Sequence, residues 1–346
     1  MHIFVKQPCL IADIGFNFYD IALKENISQL NAVKLMISEA KECGVDAVNF
    51  DLFNEDSLFS MKLSHDVTFE DTDMDFLNDL DDFGKDEYRE LADFCRETDI
   101  DFVVSPGDIK SVDEVDEFVK YYSISSSDLT NIPLIKYIAS KNKPILLSTG
   151  ASTLREIRTA VRAIEDISTV DIAILHSVLS FPTSFEDANL LMIKDLVENF
   201  PEYDIGYSDH TPSDENMLLL TTAFNYGAVI LEKHFTLDKT LTGNDHAHSM
   251  DSDDVLKFKN NLKFLFKING YKNKQPLICE SFMKREFRKS IVAGRDINEG
   301  ELIKSDDLNF KRPATGISPE SVDEVVGKTA RVKILKDSQI DFDMLI

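Results

Sequence analysis

Eight short apolar runs, at 9–15, 47–51, 102–105, 121–126, 144–149, 172–177, 205–208 and 229–234, alternate along the chain with stretches long enough to hold a helix. This alternation limits the fold more than any other feature, because parallel strands need crossovers of a dozen or more residues, usually helical. The intervening segments carry helix signals. Ile27, Leu30, Val33, Met36 and Ala40 repeat at helical spacing and stop at Gly44, a residue suited to the left-handed position after a helix. Thr211-Pro212-Ser213-Asp214 precedes an apolar run ending at Gly227. It supplies an N-cap, a proline at the first helical position and a first-turn acid, so a helix opening directly after His210 is predicted.

Eight strand–helix units are the count of a (β/α)₈ barrel, although a doubly wound open sheet could be written from the same alternation. Two observations favour the barrel. No strand is followed by a glycine-rich G-x-G-x-x-G turn. Polar residues also collect at nearly every strand end: Asp13, Asn49, Asp51, Ser105, Ser126, Asp128, Ser148, His176, His210 and His234. Side chains converging from all strands suit the rim of a closed barrel better than one switch-point crevice. Near residue 285 the texture changes to short β-branched runs separated by turn signals, including Ala330–Leu335. The division expected is a barrel over 1–266, a connector over 267–284 and a small, mostly β module over 285–346.

The chemistry should sit where the histidines are. Five of the seven, His176, His210, His234, His246 and His248, fall at or just after the last three strands of the barrel. His210 and His234 end successive strands, each beside acids, and with a carboxylate or waters they suit a divalent first-row metal. Asp209 and Glu232 flank them and are candidates to accept a proton or orient a ligand. Asp214 reads as a capping acid, and the predicted helix start after His210 offers N–H groups to an anion or water.

Composition excludes several classes. A formal net charge of -25 opposes nucleic-acid binding, which needs a cationic footprint. The acids concentrated at 70–90 read as a solvated loop and helix. No apolar run is long enough to span a membrane, and the first residues lack a signal-peptide pattern. Cys9, Cys43, Cys95 and Cys279 are scattered without C-x-x-C spacing, as expected of thiols in a reducing cytoplasm.

Together the motifs resemble the sialic acid synthase family. They include Ile11-Ala-Asp-Ile-Gly15, Pro133-Leu-Ile-Lys136, Lys143-Pro-Ile-Leu-Leu-Ser-Thr-Gly150, and His176 through Phe181-Pro-Thr183 with Glu186-Asp187. Gly206-Tyr-Ser-Asp-His-Thr211, Glu232-Lys-His-Phe-Thr-Leu-Asp-Lys239 and Gly243-Asn-Asp-His246 follow in order. The tail, with Arg295-Asp-Ile-Asn-Glu-Gly300 and Lys311-Arg-Pro-Ala-Thr-Gly-Ile317, resembles that family's antifreeze-like SAF (β-clip) domain.

The resemblance implies a TIM barrel plus SAF domain in a domain-swapped homodimer, cytoplasmic and apart from membranes. The reaction implied joins phosphoenolpyruvate to an N-acetylated amino sugar, giving a nonulosonic acid and phosphate. A divalent metal, Mn²⁺ first with Mg²⁺ or Co²⁺ as alternatives, would be held by His210 and His234. Asp13, Asp128 and Asp209 are the implied catalytic acids. The implied substrate contacts are Asn17, Asn49, Asp51, Ser105, Ser123, Ser126, Ser148, His176, Phe181, Ser208, Asp245 and His246. Arg312 would reach the partner subunit's sugar pocket.

The departures are as informative. Where the family's second strand ends Lys-Phe-Gln, this chain has Asn49-Phe50-Asp51; where the fourth reads Lys-Ile-Gly-Ser-Gly-Glu, it has Ser123-Ile-Ser-Ser-Ser-Asp128. Both lysines expected to neutralise phosphoenolpyruvate are replaced, so a less anionic donor, or a non-catalytic binding role, stands beside the synthase reading. Lys110 and Arg155, near helix starts, are the candidate substitute cations.

Overall fold

A computed structural model describes residues 7–53 and 84–346. The expected acidic segment up to residue 83, and the first six residues, lie outside the described residues. The strands are β1 (Cys9–Asp13), β2 (Ala47–Leu52), β3 (Asp101–Pro106), β4 (Tyr121–Ile124), β5 (Ile145–Ser148), β6 (Ile172–Ser177), β7 (Asp204–Asp209) and β8 (Ile230–His234). All pair in parallel with their sequence neighbours, and β8 closes on β1, with Asp13 in register with His234. The predicted (β/α)₈ barrel is the fold of the described residues 7–53 and 84–269.

The helices described in this unit are α1 (Asn17–Glu25), α2 (Gln29–Cys43), α3 (Lys85–Glu97), α4 (Ile109–Val115), α5 (Ile132–Ala139), α6 (Leu154–Glu165), α7 (Leu191–Asn199), α8 (Leu218–Asn225) and α9 (Ser252–Asn269). The helix predicted from the spacing around Val33 is α2. Ser28 caps its start by accepting from Asn31 N, and Gly44 ends it at φ 100°, a left-handed value that glycine adopts without strain. Its apolar stripe, Ala32, Val33, Met36, Ile37 and Ala40, is fully buried.

The helix predicted from Thr211 does not start there. Residues 211–217 are not helical, with a turn only at Glu215-Asn216, and α8 begins at Leu218 after Met217, which sits at φ 52°. The reason is Asp214: its carboxylate accepts from Leu218 N (2.7 Å) and Leu219 N (3.0 Å), so it caps from four residues further back than the motif implied. The capping role expected of Asp214 is met; an anion-holding helix start beside His210 is not.

Pleating divides the barrel strands into two faces. Leu10, Val48, Val104, Tyr122, Leu147, Ile174, Tyr207 and Leu231 join the core between sheet and helices. Ile11, Ala47, Val103, Leu146, Ala173, Leu175 and Ile230 form a separate apolar cluster on the opposite, inward face. Continuing each inward row toward the strand ends gives Asp13, Asn49, Asp51, Ser105, Ser123, Ser148, Ser208, Glu232 and His234. The barrel interior is therefore apolar at the base and polar at the C-terminal mouth, where barrels place their chemistry.

Residues 270–346 form a second compact unit. It contains α10 (Ser281–Phe287), β9 (Ser290–Ala293) paired antiparallel with β10 (Leu308–Lys311), and α11 (Val322–Val325). Isolated bridges such as Ile297 to Ile334 and Ala330 to Leu345 join its remaining runs, so the run expected at Ala330–Leu335 contributes bridges and no full strand. Ile291, Ala293, Ile297, Ile303, Val325, Ile334 and Ile340 make up most of its own core. No helix among the described residues is long and apolar enough to cross a membrane.

Candidate active site

A cavity of about 370 Å³ opens at the C-terminal mouth of the barrel. Its walls include Asp13, Asn49, Asp51, Ser105, Ser123, Ser126, Ser148, Phe181, Ser208, His210, His234 and Asp245, each anticipated from the sequence. Phe16, Ser125, Ser127, Leu179 and Glu232 complete them. Four carboxylates thus face one cavity, and none of the described residues lining it is Lys or Arg. Neither candidate substitute cation enters it: Lys110 lies 3.8 Å from Glu114, and Arg155 lines a separate cavity of about 270 Å³.

Crowding acids in a desolvated mouth raises their pKa values. Burial, then the charges of Asp51, Glu232 and Asp245, holds Asp13 well above the usual carboxylate range. Burial, then Glu232 and Asp245, pushes Asp51 up to about 7. Burial raises Glu232 also, against the hydrogen bond that Ser208 Oγ donates to its Oε1 (2.8 Å). Asp245 is the exception. Burial works to raise it, but the neighbouring imidazoles, His248 foremost, bring it below the usual value. Burial drives the His234 imidazole down to about 3 and lowers His210.

A cluster suited to a cation occupies one side. Ligand atoms of His234, Asp245 and His248 all lie within 4.8 Å of one another. His234 Nδ1 is 3.6 Å from Asp245 Oδ2, and His248 Nε2 is 3.2 Å from Asp245 Oδ1. Three buried polar atoms here have no hydrogen-bond partner: His234 Nδ1, His248 Nε2 and Glu232 Oε2. Such atoms are costly unless something else meets them, and lone-pair donors of this kind fit a divalent cation. The expected pair is present at 5.6 Å between the rings of His210 and His234. His210 Nδ1 faces the Val178 carbonyl at 3.0 Å. A carbonyl can only accept, so Nδ1 carries the proton and Nε2 keeps its lone pair.

Several expected site residues are not in the cavity wall, and strand parity explains two of them. His176 and Asp209 sit on the outward faces of β6 and β7. His176 Nε2 meets the Ala188 carbonyl (2.9 Å), its ring stacks on Tyr207, and it lines a different cavity of about 670 Å³. Asp209, expected to be catalytic, is buried and accepts from Lys233 Nζ (2.7 Å), Tyr207 OH (3.0 Å) and Thr211 N (2.9 Å). Asp128 closes a 3₁₀ turn, Ser126–Asp128, and accepts from Asn131 Nδ2 (3.0 Å). His246 is buried between Thr236 Oγ1 (2.7 Å) and Asp20 Oδ2 (3.1 Å).

Asn17 also lies behind the wall. It donates to the Phe235 carbonyl and Ser249 Oγ (2.9 Å each) and accepts from Asp245 N (3.0 Å), thereby positioning the Asp245 loop. Arg312 belongs to the second unit, where its Nε donates to the Phe287 carbonyl (3.1 Å) and its guanidinium covers the Phe287 ring.

Two contributors carry more weight here than the sequence pattern gave them. Glu232 follows from the parity of β8, since it is two residues before His234. His248 was signalled by the spacing His246-Ala247-His248, and the fold uses the two imidazoles differently: His246 is tied into the protein, His248 faces its neighbours at the mouth.

Comparison with known proteins agrees with this architecture. The NeuB family profile matches residues 36–274, and the SAF domain profile matches residues 288–346. The chain belongs to the NeuB family. It is 31% identical to N,N'-diacetyllegionaminic acid synthase of Legionella pneumophila, over 92% of this chain and 89% of that one. It is 35% identical to an uncharacterized protein of Methanocaldococcus jannaschii, over 90% and 89% of the two chains. The crystal structure of N-acetylneuraminic acid (sialic acid) synthetase from Leptospira borgpetersenii, in complex with citrate, superposes with a TM-score of 0.68 at 29% identity, covering 80% of this chain and 90% of that one. The NeuB-family relatives are acid synthases, and this chain is a carbon–carbon bond-forming enzyme of the transferase type.

Proposed function

We propose that this enzyme is a nonulosonic acid synthase, joining an enol donor of the phosphoenolpyruvate kind to the aldehyde of an N-acetylated amino sugar with the help of a divalent cation. The observation that carries the reading is the set of buried, unpartnered donor atoms at the barrel mouth, His234 Nδ1, His248 Nε2 and Glu232 Oε2. His210, His234 and Asp245 are the residues to hold the cation, which when bound polarises a carbonyl oxygen and lowers the pKa of a bound water.

The chain's own groups supply the rest. Addition of the enol carbon to the aldehyde forms the carbon–carbon bond, and the positive carbon left on the donor takes up a water before phosphate departs. The addition also leaves an alkoxide that needs a proton. Glu232 is suited to deliver it. Ser208 Oγ donates to Oε1, which leaves Oε2 without a protein partner at the cavity wall, and burial raises this carboxyl above its usual range, the direction that suits an acid. Asp13, whose carboxyl burial and neighbouring acids also hold well above the usual range, faces the same space. Ser105, Ser123, Ser126 and Ser148 form a hydroxyl wall on the side of β3 to β5, able to orient a carboxylate or phosphate by neutral hydrogen bonds. Phe181, 4.5 Å from the His210 ring, gives the sugar an apolar flank. In a domain-swapped homodimer, Arg312 of one protomer would add a cation to the other's sugar pocket.

One observation favours a second reading. Asn49 and Ser123 stand at the family's two phosphate-neutralising lysines, and the described wall carries four carboxylates and no cationic side chain. Two unit charges about 4 Å apart interact by about 4 kcal/mol at a protein-surface dielectric. A donor less anionic than phosphoenolpyruvate would relieve that repulsion. The test is incubation of the full chain with a divalent cation, phosphoenolpyruvate and a panel of N-acetylated hexosamines. The synthase reading expects phosphate release that requires both substrates and disappears in His234→Ala. Sugar consumed with pyruvate and without phosphate release would establish the second reading in its place.

A further inference from the structure

We propose that His248 is itself a metal ligand, and that with it this cavity takes a borderline divalent cation (Zn²⁺, Co²⁺ or Fe²⁺) in preference to Mg²⁺ or Mn²⁺. The inference rests on the cation dependence proposed above and names the class of that cation.

His248 belongs to none of the strand ends. It lies in the 3₁₀ turn His246–His248, within the loop that follows β8. The two imidazoles of that turn have different fates. His246 is tied at both nitrogens, to Thr236 and Asp20. His248 Nε2 is buried and has no hydrogen-bond partner, although Asp245 Oδ1 is only 3.2 Å away. A buried polar atom so poorly met is destabilising. A shared ion would meet both groups at once.

The separations suit one ion. Two ligand atoms bound tetrahedrally at zinc-like distances lie roughly 3.4 Å apart. Asp245 stands at 3.2 Å from His248 Nε2 and 3.6 Å from His234 Nδ1, on either side of that figure. Imidazoles sharing an ion have ring centres about 5 Å apart at a tetrahedral angle and about 6 Å apart at wider angles. Here the separations are 5.0 Å for His234 with His248 and 5.6 Å for His210 with His234. His210 with His248, at 6.4 Å, is wider. His210 lies outside the tight group of His234, Asp245 and His248, so it joins the set by closing on the ion. The backbone leaves the necessary room: a Cβ on Gly15 would come within 3.3 Å of His234 Nδ1 and 3.4 Å of Asp245 Oδ2.

The donor set then fixes the class of cation. Two imidazoles completed by water and carboxylate oxygens accept Mn²⁺ readily. Three imidazoles with one carboxylate favour Zn²⁺, Co²⁺ or Fe²⁺, because Mg²⁺ and Mn²⁺ prefer oxygen donors and stand lower in the divalent affinity order.

The full chain, stripped of metal by a chelator, is loaded with Zn²⁺, Co²⁺ or Mn²⁺ separately. Zinc X-ray absorption on the unmutated protein is expected to count three imidazoles; a count of two overturns the proposal without needing any variant to fold. Competition titration is expected to give Zn²⁺ at least 100-fold tighter binding than Mn²⁺, and equal affinities overturn it. His248→Ala is expected to weaken Zn²⁺ at least tenfold and to change the visible Co²⁺ absorption, while His176→Ala, in the other cavity, changes neither. A His248→Ala protein within threefold of the original affinity, its Co²⁺ spectrum unchanged, also overturns it. These readings are independent of turnover: a three-imidazole zinc site in a protein that condenses nothing upholds this inference and sinks the synthase reading. Absence of affinity for every cation sinks both.

Discussion

Gly15 sits at φ 49° immediately after β1, where its missing side chain keeps His234 Nδ1 and Asp245 Oδ2 apart from the backbone. Gly15→Ala therefore places a methyl group against both ligand atoms and strains the turn. It is expected to weaken cation affinity at least tenfold, as read by competition titration. A second residue-scale outcome concerns Asp51, held up to about 7 by burial and by Glu232 and Asp245. A raised carboxyl contributes stability below its unfolded value and loses it as pH climbs through the folded value. In chelator, Asp51→Asn should therefore melt above the unmutated protein at pH 8, the gap closing by pH 4. A gap independent of pH would show that the Asp51 carboxyl titrates normally.

At this scale the sequence told which residues end strands, because polar residues abruptly interrupt apolar runs. It also held, unread, which way they point. Counting back by twos from His234 places Glu232 inside and Lys233 outside; the same count turns His176 and Asp209 outward. The fate of Asn17 and His246 had no such signal, since each is fixed by partners more than two hundred residues away or by a loop without periodicity.

Among elements, α8 shows how a local motif can mislead. Thr211-Pro212-Ser213-Asp214 carries the composition of a helix start, yet the first helical amides find Asp214 from a greater distance in sequence. Asp214→Ala removes the acceptor for two of them and is expected to cost about 1 kcal/mol, the usual worth of a cap. Chemical denaturation measures it. Glu215→Ala, exposed in the same turn, should leave the unfolding midpoint nearly unchanged. The eight strands were legible because parallel strands covered on both faces read as continuous apolar runs. The segment after β8 was not: it is neither strand nor long helix, and its histidines are arranged by contacts, not by repeat.

On the scale of the whole molecule, the chain divides into two units with separate apolar cores, at 7–269 and 270–346 within the described residues. A fragment covering 270–346 has its own buried Ile291, Ile297, Ile303, Val325 and Ile340 and is expected to unfold cooperatively by itself. Circular dichroism of the expressed fragment checks this; a broad, featureless melt would mean its core depends on the rest of the protein. The alternation of strands announced the barrel, and the change of texture near residue 285 announced the second unit, because each core needs its own run of apolar residues.

The bond between Asn17 and the backbone of Asp245 has a consequence for how the protein is made. Asn17 emerges in translation more than two hundred residues ahead of its partners Phe235, Asp245 and Ser249. Until then β1 lacks β8, Asp13 lacks His234, and the ligand atoms are not neighbours. A nascent chain that has not yet reached Asp245 has no assembled mouth with which to capture an ion. On the proposed cation dependence, loading would follow closure, and the cation taken up would reflect what the surroundings offer once the barrel has shut.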